Sequence, residues 1–188
     1  NMFVCTNCYA PAMSADGRWV AYEVIGAGQI RDVLLLDRLT GTTNLVSVNL
    51  ANTGGGNASS FKPVISYDGR YIVFSSRAND LVDNDNNGLT DIFIRDRALN
   101  TTILASLNRQ DPGSGNNLSG RLVLGADGRS VAFLSLADDL VANDFNGARD
   151  VVVLRLEAGD SDGGGLPDDW ELAYFGNLAR DGSGDFDG

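Results

Sequence analysis

One nine-residue stretch occurs three times in this chain and constrains it more than any other feature. Ser14-Ala-Asp-Gly-Arg-Trp-Val-Ala-Tyr22 returns as Ser66-Tyr-Asp-Gly-Arg-Tyr-Ile-Val-Phe74 and again as Gly125-Ala-Asp-Gly-Arg-Ser-Val-Ala-Phe133. A second block follows each copy: Arg31-Asp-Val-Leu-Leu-Leu-Asp-Arg38, Thr90-Asp-Ile-Phe-Ile-Arg-Asp-Arg97 and Arg149-Asp-Val-Val-Val-Leu-Arg155. A third follows two of them, Thr43-Asn-Leu-Val-Ser-Val-Asn49 and Thr102-Ile-Leu-Ala-Ser-Leu-Asn108. Asp32 to Asp91 is 59 residues, and so is Asp91 to Asp150. Asp16 to Asp32 spans 16 residues where the later copies span 23, so copy one lacks seven residues between its first two blocks. A period of this length marks a tandem array of supersecondary units.

Each block reads as a strand: short, rich in Val, Ile, Leu, Phe and Tyr, and bounded by turn residues. Asp-Gly between two such runs signals a hairpin, because glycine takes the positive φ that the tight turn needs. The apolar segments before each Asp-Gly (10–13, 61–65 and 121–124) supply a further strand. Each repeat is therefore expected to be four antiparallel strands, and no helical periodicity appears before residue 167. Four-stranded units in tandem predict an all-β fold of propeller blades, at about 8–49, 60–108 and 117–156 within a region spanning 1–157. Asn1 to Asn7 aligns with the fourth-strand blocks and is expected to be an orphan outer strand, while copy three has no such block. Three blades fall short of the roughly four to eight of closed propellers. The expectation is that further blades lie upstream, with a ring shared between two chains as the other arrangement.

Ser-x-Asp-Gly-Arg before an apolar strand, followed by Asp-(Val/Ile)-(Phe/Leu)-(Ile/Leu), resembles the TolB-type propeller repeat of bacterial exported proteins. The resemblance covers residues 10–156. It implies a propeller, a frequent role in protein interaction and a secreted, extracellular or periplasmic location, and it carries over no catalytic residue. The 59-residue period is long for that family, with the surplus expected in loops.

The seven residues that copy one lacks belong to an Asp/Asn-rich loop. In copy two, Asp83, Asp85, Asn87 and Asp91 stand at positions one, three, five and nine of a calcium-loop pattern. Gly88 permits the sharp turn, and the Leu89 carbonyl is placed to face the ion. Carboxylates crowded this closely repel one another, and a divalent cation relieves that. Position twelve is Ile94 rather than the bidentate Glu of a full loop, so a solvated turn is the competing reading. Copy three keeps Asp144, Asn146 and Asp150 but has Ala142 at position one, which predicts weaker binding.

The C-terminal segment, 158–188, gives the sharper pattern. Asp160, Asp162, Leu166, Asp168 and Glu171 occupy positions one, three, seven, nine and twelve of an EF-hand loop. Gly164 at position five leaves a backbone oxygen or water to serve there. Pro167 opens an expected short helix through Phe175. The segment resembles the calcium-binding modules of the thrombospondin type-3 and dockerin kind. That resemblance implies Asp160, Asp162, Asp168 and Glu171 as ligands, with Asp185 and Asp187 opening a second unit in which the sequence stops. An acidic flexible linker is the alternative.

Composition narrows the chemistry. Fourteen basic against 25 acidic residues give a net charge of −11, which argues against nucleic acid and anionic membranes and favours cations. There is no histidine, so Ser–His–Asp and Cys–His systems and imidazole zinc sites are excluded. No apolar run approaches the roughly 20 residues of a membrane helix. The chain opens on Asn1 without a signal peptide, so a targeting segment is expected to be removed or upstream. Cys5 and Cys8 lie outside any βαβ pattern and lack further zinc ligands, leaving a local disulfide or two thiols.

The reading that follows is a non-catalytic, calcium-binding exported propeller that displays or engages another protein, or further blades, with a homo-oligomer possible. A carbohydrate-active propeller with paired carboxylates is the enzymatic alternative, although the acids recur at equivalent positions while catalysis breaks symmetry. A calcium-dependent glycan binder stacking sugars on Trp19, Tyr22 or Tyr71 is the third reading.

Overall fold

A computed structural model describes residues 5–109, 113–142, 144 and 146–156. They form three antiparallel sheets. The first contains β1 (Cys8–Met13), β2 (Trp19–Ile25), β3 (Arg31–Asp37) and β4 (Thr43–Leu45) in that order. The second contains β5 (Ser60–Ile65), β6 (Tyr71–Ser76), β7 (Asp91–Asp96) and β8 (Thr101–Leu104). The third has β9 (Ser119–Leu124), β10 (Ser130–Ser135) and β11 (Asp150–Arg155), with β10 in the middle. Apart from a 3-10 turn at Ala27–Gln29, no helix occurs among the described residues. Cys5 to Asn7 forms a bend rather than a strand, and the rest of the expected orphan strand lies outside the described residues.

The Asp-Gly-Arg motif acts as a hairpin clamp. Asp16 Oδ1 accepts hydrogen bonds from the Ser14 hydroxyl at 2.5 Å and the Arg18 amide at 2.9 Å. Gly17 sits at φ +69°, in the left-handed region that the turn requires. Arg18 then reaches across to Asp37 at the end of β3, with Nε at 3.1 Å and an Nη at 2.7 Å from its two oxygens. The second blade repeats this with Ser66, Asp68, Arg70 and Asp96. In the third, Gly125 replaces the serine, and Ser130 on the far side of the turn donates to Asp127 instead, at 2.5 Å. These bonds to the ionised form hold the Asp127 carboxyl down at about 2.

Each innermost strand carries a bulge centred on a non-glycine residue at positive φ: Ala10, Lys62 and Arg121. The bulge at Lys62 is held from the neighbouring blade, because buried Glu23 accepts its amide at 2.7 Å. Arg31 donates to the other Glu23 oxygen at 2.8 Å.

Blades stack through β5 against β1–β3 and β9 against β5–β7. The core runs through both junctions, with Val33, Ile72, Val73, Phe74, Ile92 and Phe93 fully buried. At each junction a turn glycine meets a side chain of the preceding blade. A Cβ on Gly69 would lie 2.3 Å from Trp19 Cδ1, and one on Gly128 2.4 Å from Tyr67 Cβ.

The seven-residue surplus is more than a surface loop. Leu81 and Leu140, one in each long connection, are buried in the core. Asp80 and Asp139 in the same connections accept the amides of Asn57 and Asn116, so each tethers the linker that enters its blade.

Candidate functional site

The conspicuous polar chemistry of the described residues lies where the long loop of blade two meets the first residue of β7. Leu81 and Val82 anchor the chain in the core, so the loop emerges at Asp83, which is exposed, and turns back at Asp85, which is only 6% exposed. Gly88 takes φ +67° and lets the chain return to Asp91, which is fully buried. The linker to blade three closes the other side. Ser114 Oγ accepts the amides of Asn86 and Asn87 at 3.2 and 3.1 Å, and Asn87 Nδ2 donates to the Gly115 carbonyl at 2.8 Å. Gly113 is required here, since a Cβ would come 2.8 Å from the Asn86 amide nitrogen.

Two carboxylates thus face each other inside the protein. Asp91 Oδ1 accepts the Ser106 hydroxyl at 2.6 Å, but Asp91 Oδ2 and both Asp85 oxygens are buried without a hydrogen-bond partner. Burial pushes the Asp91 carboxyl up to about 7, the Ser106 hydrogen bond opposes this, and the charge of Asp85 adds to it. Burial likewise raises Asp85, against the Ser114 hydroxyl and Asn87 amide beside it. An unpartnered buried carboxylate oxygen is costly, and three of them at one place mark an unmet demand for positive charge.

Of the expected loop ligands, the fold therefore brings together Asp85 and Asp91, flanked by Asn87. Asp83 and Leu89 stay at the surface, and Asn87 Oδ1 is occupied by the Leu89 amide at 2.6 Å. No group of three or more acidic or cysteine side chains converges on a metal-sized point among the described residues. The third-copy loop is similar but looser. Asn146 donates to Asp150 Oδ1 at 3.3 Å, Asp150 Oδ2 is unpartnered, and Asp144 is only half-buried. In blade one, with no long loop, Asp32 accepts the Ser47 hydroxyl and packs where a Cβ on Gly55 would stand. Asp160, Asp162, Gly164, Leu166, Asp168 and Glu171 lie outside the described residues.

Cys5 and Cys8 are joined by a disulfide. The aromatic residues considered for sugar stacking are not at the surface: Trp19, Tyr22 and Tyr71 are all buried. Trp19 is sandwiched between guanidinium groups, with Arg97 at 3.9 Å and Arg18 at 4.6 Å from the ring centre. The sequence reading missed Glu23, an acid outside the repeated set. Its equivalents are Ser75 and Leu134, and that break in symmetry was the available signal. Paired with Arg31 and the Lys62 amide, Glu23 joins blades one and two.

No protein-family profile matches the sequence, and no curated relative does. Among solved structures, the chain is similar to TolB from Acinetobacter baumannii at 16% identity and a TM-score of 0.51, over 80% of this chain and 30% of that one. It is also similar to the tricorn protease, at 16% identity and a TM-score of 0.53, over 81% of this chain and 14% of that one. The chain thus spans less than a third of either structure. No helix among the described residues is long and apolar enough to cross a membrane. At these identities the likeness speaks to architecture alone: the chain folds as antiparallel four-stranded blades of the β-propeller type.

Proposed function

We propose that this chain is a non-catalytic, calcium-binding propeller module of an exported protein, acting as a scaffold for protein interaction or surface display. The observation that carries the reading is the pair Asp85 and Asp91, whose three buried, unpartnered oxygens form one end of a cation site. Hard oxygen donors without imidazole or thiolate suit calcium, with water and backbone oxygens completing its six to eight ligands. The ion would fasten the long loop of blade two to the first residue of β7 and, through Ser114, to the linker into blade three. The C-terminal pattern from Asp160 to Glu171 would provide a second, independent site. The Cys5–Cys8 disulfide supports an oxidising compartment. The recurrent acids act as turn clamps and strand ends, which supports a scaffold rather than a catalyst.

Thermal melting in calcium and in chelator tests the reading. Extracellular calcium modules bind at about 0.1–1 mM, so 10 mM calcium at the tighter end stabilises by about 2.7 kcal/mol. For a domain of this size that is a rise of about 5–10 °C. Asp85→Asn and Asp91→Asn should each remove most of the rise from the blade transition, while Asp160→Ala leaves it. Superimposable melts with and without calcium would refute the metal reading.

A further inference from the structure

The repeated blades place a hydroxyl group against a carboxylate at one fixed point, and the third blade has the carboxylate alone. In blade one the chain leaves β4 at Val46, whose amide bonds to the Val33 carbonyl at 2.8 Å. Ser47 then turns its hydroxyl onto Asp32 Oδ1 at 2.8 Å while accepting the Val33 amide at 3.1 Å. Blade two repeats each bond with Ala105, Ser106, Asp91 and Ile92: 2.7 Å to the Ile92 carbonyl, 2.6 Å to Asp91 and 3.1 Å from the Ile92 amide. In blade three the equivalents of Asp32 and Val33 are Asp150 and Val151. Among the described residues, no strand lies on the outer edge of β11, and Asp150 Oδ2 is buried without a partner.

We infer that the outer edge of β11 is a docking site for an antiparallel strand supplied in trans by another polypeptide. That strand carries a serine or threonine hydroxyl that caps Asp150 and accepts the Val151 amide. Exposed edge strands recruit strands by backbone hydrogen bonding, and alternate side chains then select among them. The register follows from the complete blades, where Leu34 faces Leu45 and Phe93 faces Leu104. An apolar residue of the incoming strand therefore faces Val152, and the hydroxyl residue comes two positions later.

The chain itself offers no free segment of this chemistry. Its two matching blocks, ending in Ser47-Val-Asn49 and Ser106-Leu-Asn108, already complete blades one and two. Asn1–Asn7 matches in its apolar residues, but Cys5 stands where the serine belongs and is bonded to Cys8. Beyond Leu156 the serines are Ser161, between two aspartates, and Ser183, between two glycines, and neither has an apolar residue two positions before it.

A peptide of this protein's own 101–109 sequence is a suitable probe, with amide hydrogen exchange of β11 as the readout. Saturating peptide should slow exchange across Asp150–Arg155, leaving β4 and β8 unchanged. The same peptide with the Ser106→Ala change should bind about tenfold more weakly, as expected for one lost hydrogen bond to a carboxylate. In protein carrying Asp150→Ala, with its circular dichroism unchanged, the two peptides should bind alike. Equal binding of both peptides to the parent protein, or no protection of β11, would overturn the inference. So would tighter binding of a 1–7 peptide than of the serine peptide, because the chain would then supply its own strand. None of these outcomes depends on calcium.

Discussion

Blades two and three are built from nearly the same motifs, yet their strands end in different environments. Every residue of β6 and β7 is buried, whereas β10 and β11 alternate between covered and open positions. Ile94 is 2% exposed and its equivalent Val153 is 65% exposed, although both are β-branched residues in the middle strand pair. The difference lies in what packs on the sheet: β9 covers the face of blade two, and Val123, Val151 and Val153 present the same face of blade three to solvent. A blade is therefore a half-finished object whose stability depends on its neighbour, as expected for stacked repeats.

The contrast predicts unequal responses to equal changes. Ile94→Ala should cost about 2–4 kcal/mol, a cavity in a packed interior, and Val153→Ala less than about 0.5 kcal/mol, both read from urea unfolding midpoints. Similar losses at the two positions would mean that the outer face of blade three is covered in solution.

Turn glycines sharpen the comparison at the junctions. An alanine at Gly17 or Gly69 meets the same left-handed backbone penalty of about 1–2 kcal/mol. Gly69→Ala adds a collision with Trp19, worth about 1–2 kcal/mol more, whereas Gly17 has only the Arg38 guanidinium at 3.4 Å. Thermal unfolding of the two variants checks this, and equal values would remove the Trp19–Gly69 contact from the junction.

Next come the arginines of the motif. Arg70→Ala strands Asp96, whose side chain is 5% exposed, and should cost about 1.5–3 kcal/mol. Arg129→Ala should change stability by less than about 0.5 kcal/mol, because Arg155 stands where blade two has Asp96.

The gentlest effect is spread over pH. Asp91 is held near 7, above the roughly 4 of a free carboxyl, so between those values the folded protein binds more protons than the unfolded one. In chelator, stability should therefore fall as pH rises from about 4 through 7 and level off above, with Asp85 acting in the same direction. Asp91→Asn should flatten the slope.

Much of this architecture was legible beforehand. Strand number, hairpin positions and blade limits followed from the Asp-Gly-Arg register, because turn chemistry and period-two patterning are local. The clamp roles of Arg18 and Arg70 were hidden, since their partners Asp37 and Asp96 lie in a different block. The bulges were hidden as well. Ala10, Lys62 and Arg121 carry no glycine signal for their positive φ, which backbone bonds from the adjoining strand and blade impose. At the long loop, spacing alone treated Asp83, Asp85 and Asn87 as equivalent. Leu81 and Val82 decide otherwise by fixing where the chain leaves the core, which puts Asp83 outside and Asp85 inside.

The central claim is that Asp85 and Asp91 hold a cation. A calorimetric calcium titration of the parent protein beside the double variant Asp85→Asn, Asp91→Asn tests it most directly. The account predicts a binding step in the parent that is missing from the double variant and preserved in Asp160→Ala. A calorimetric profile unchanged by the double variant, or no heat in the parent, would contradict it.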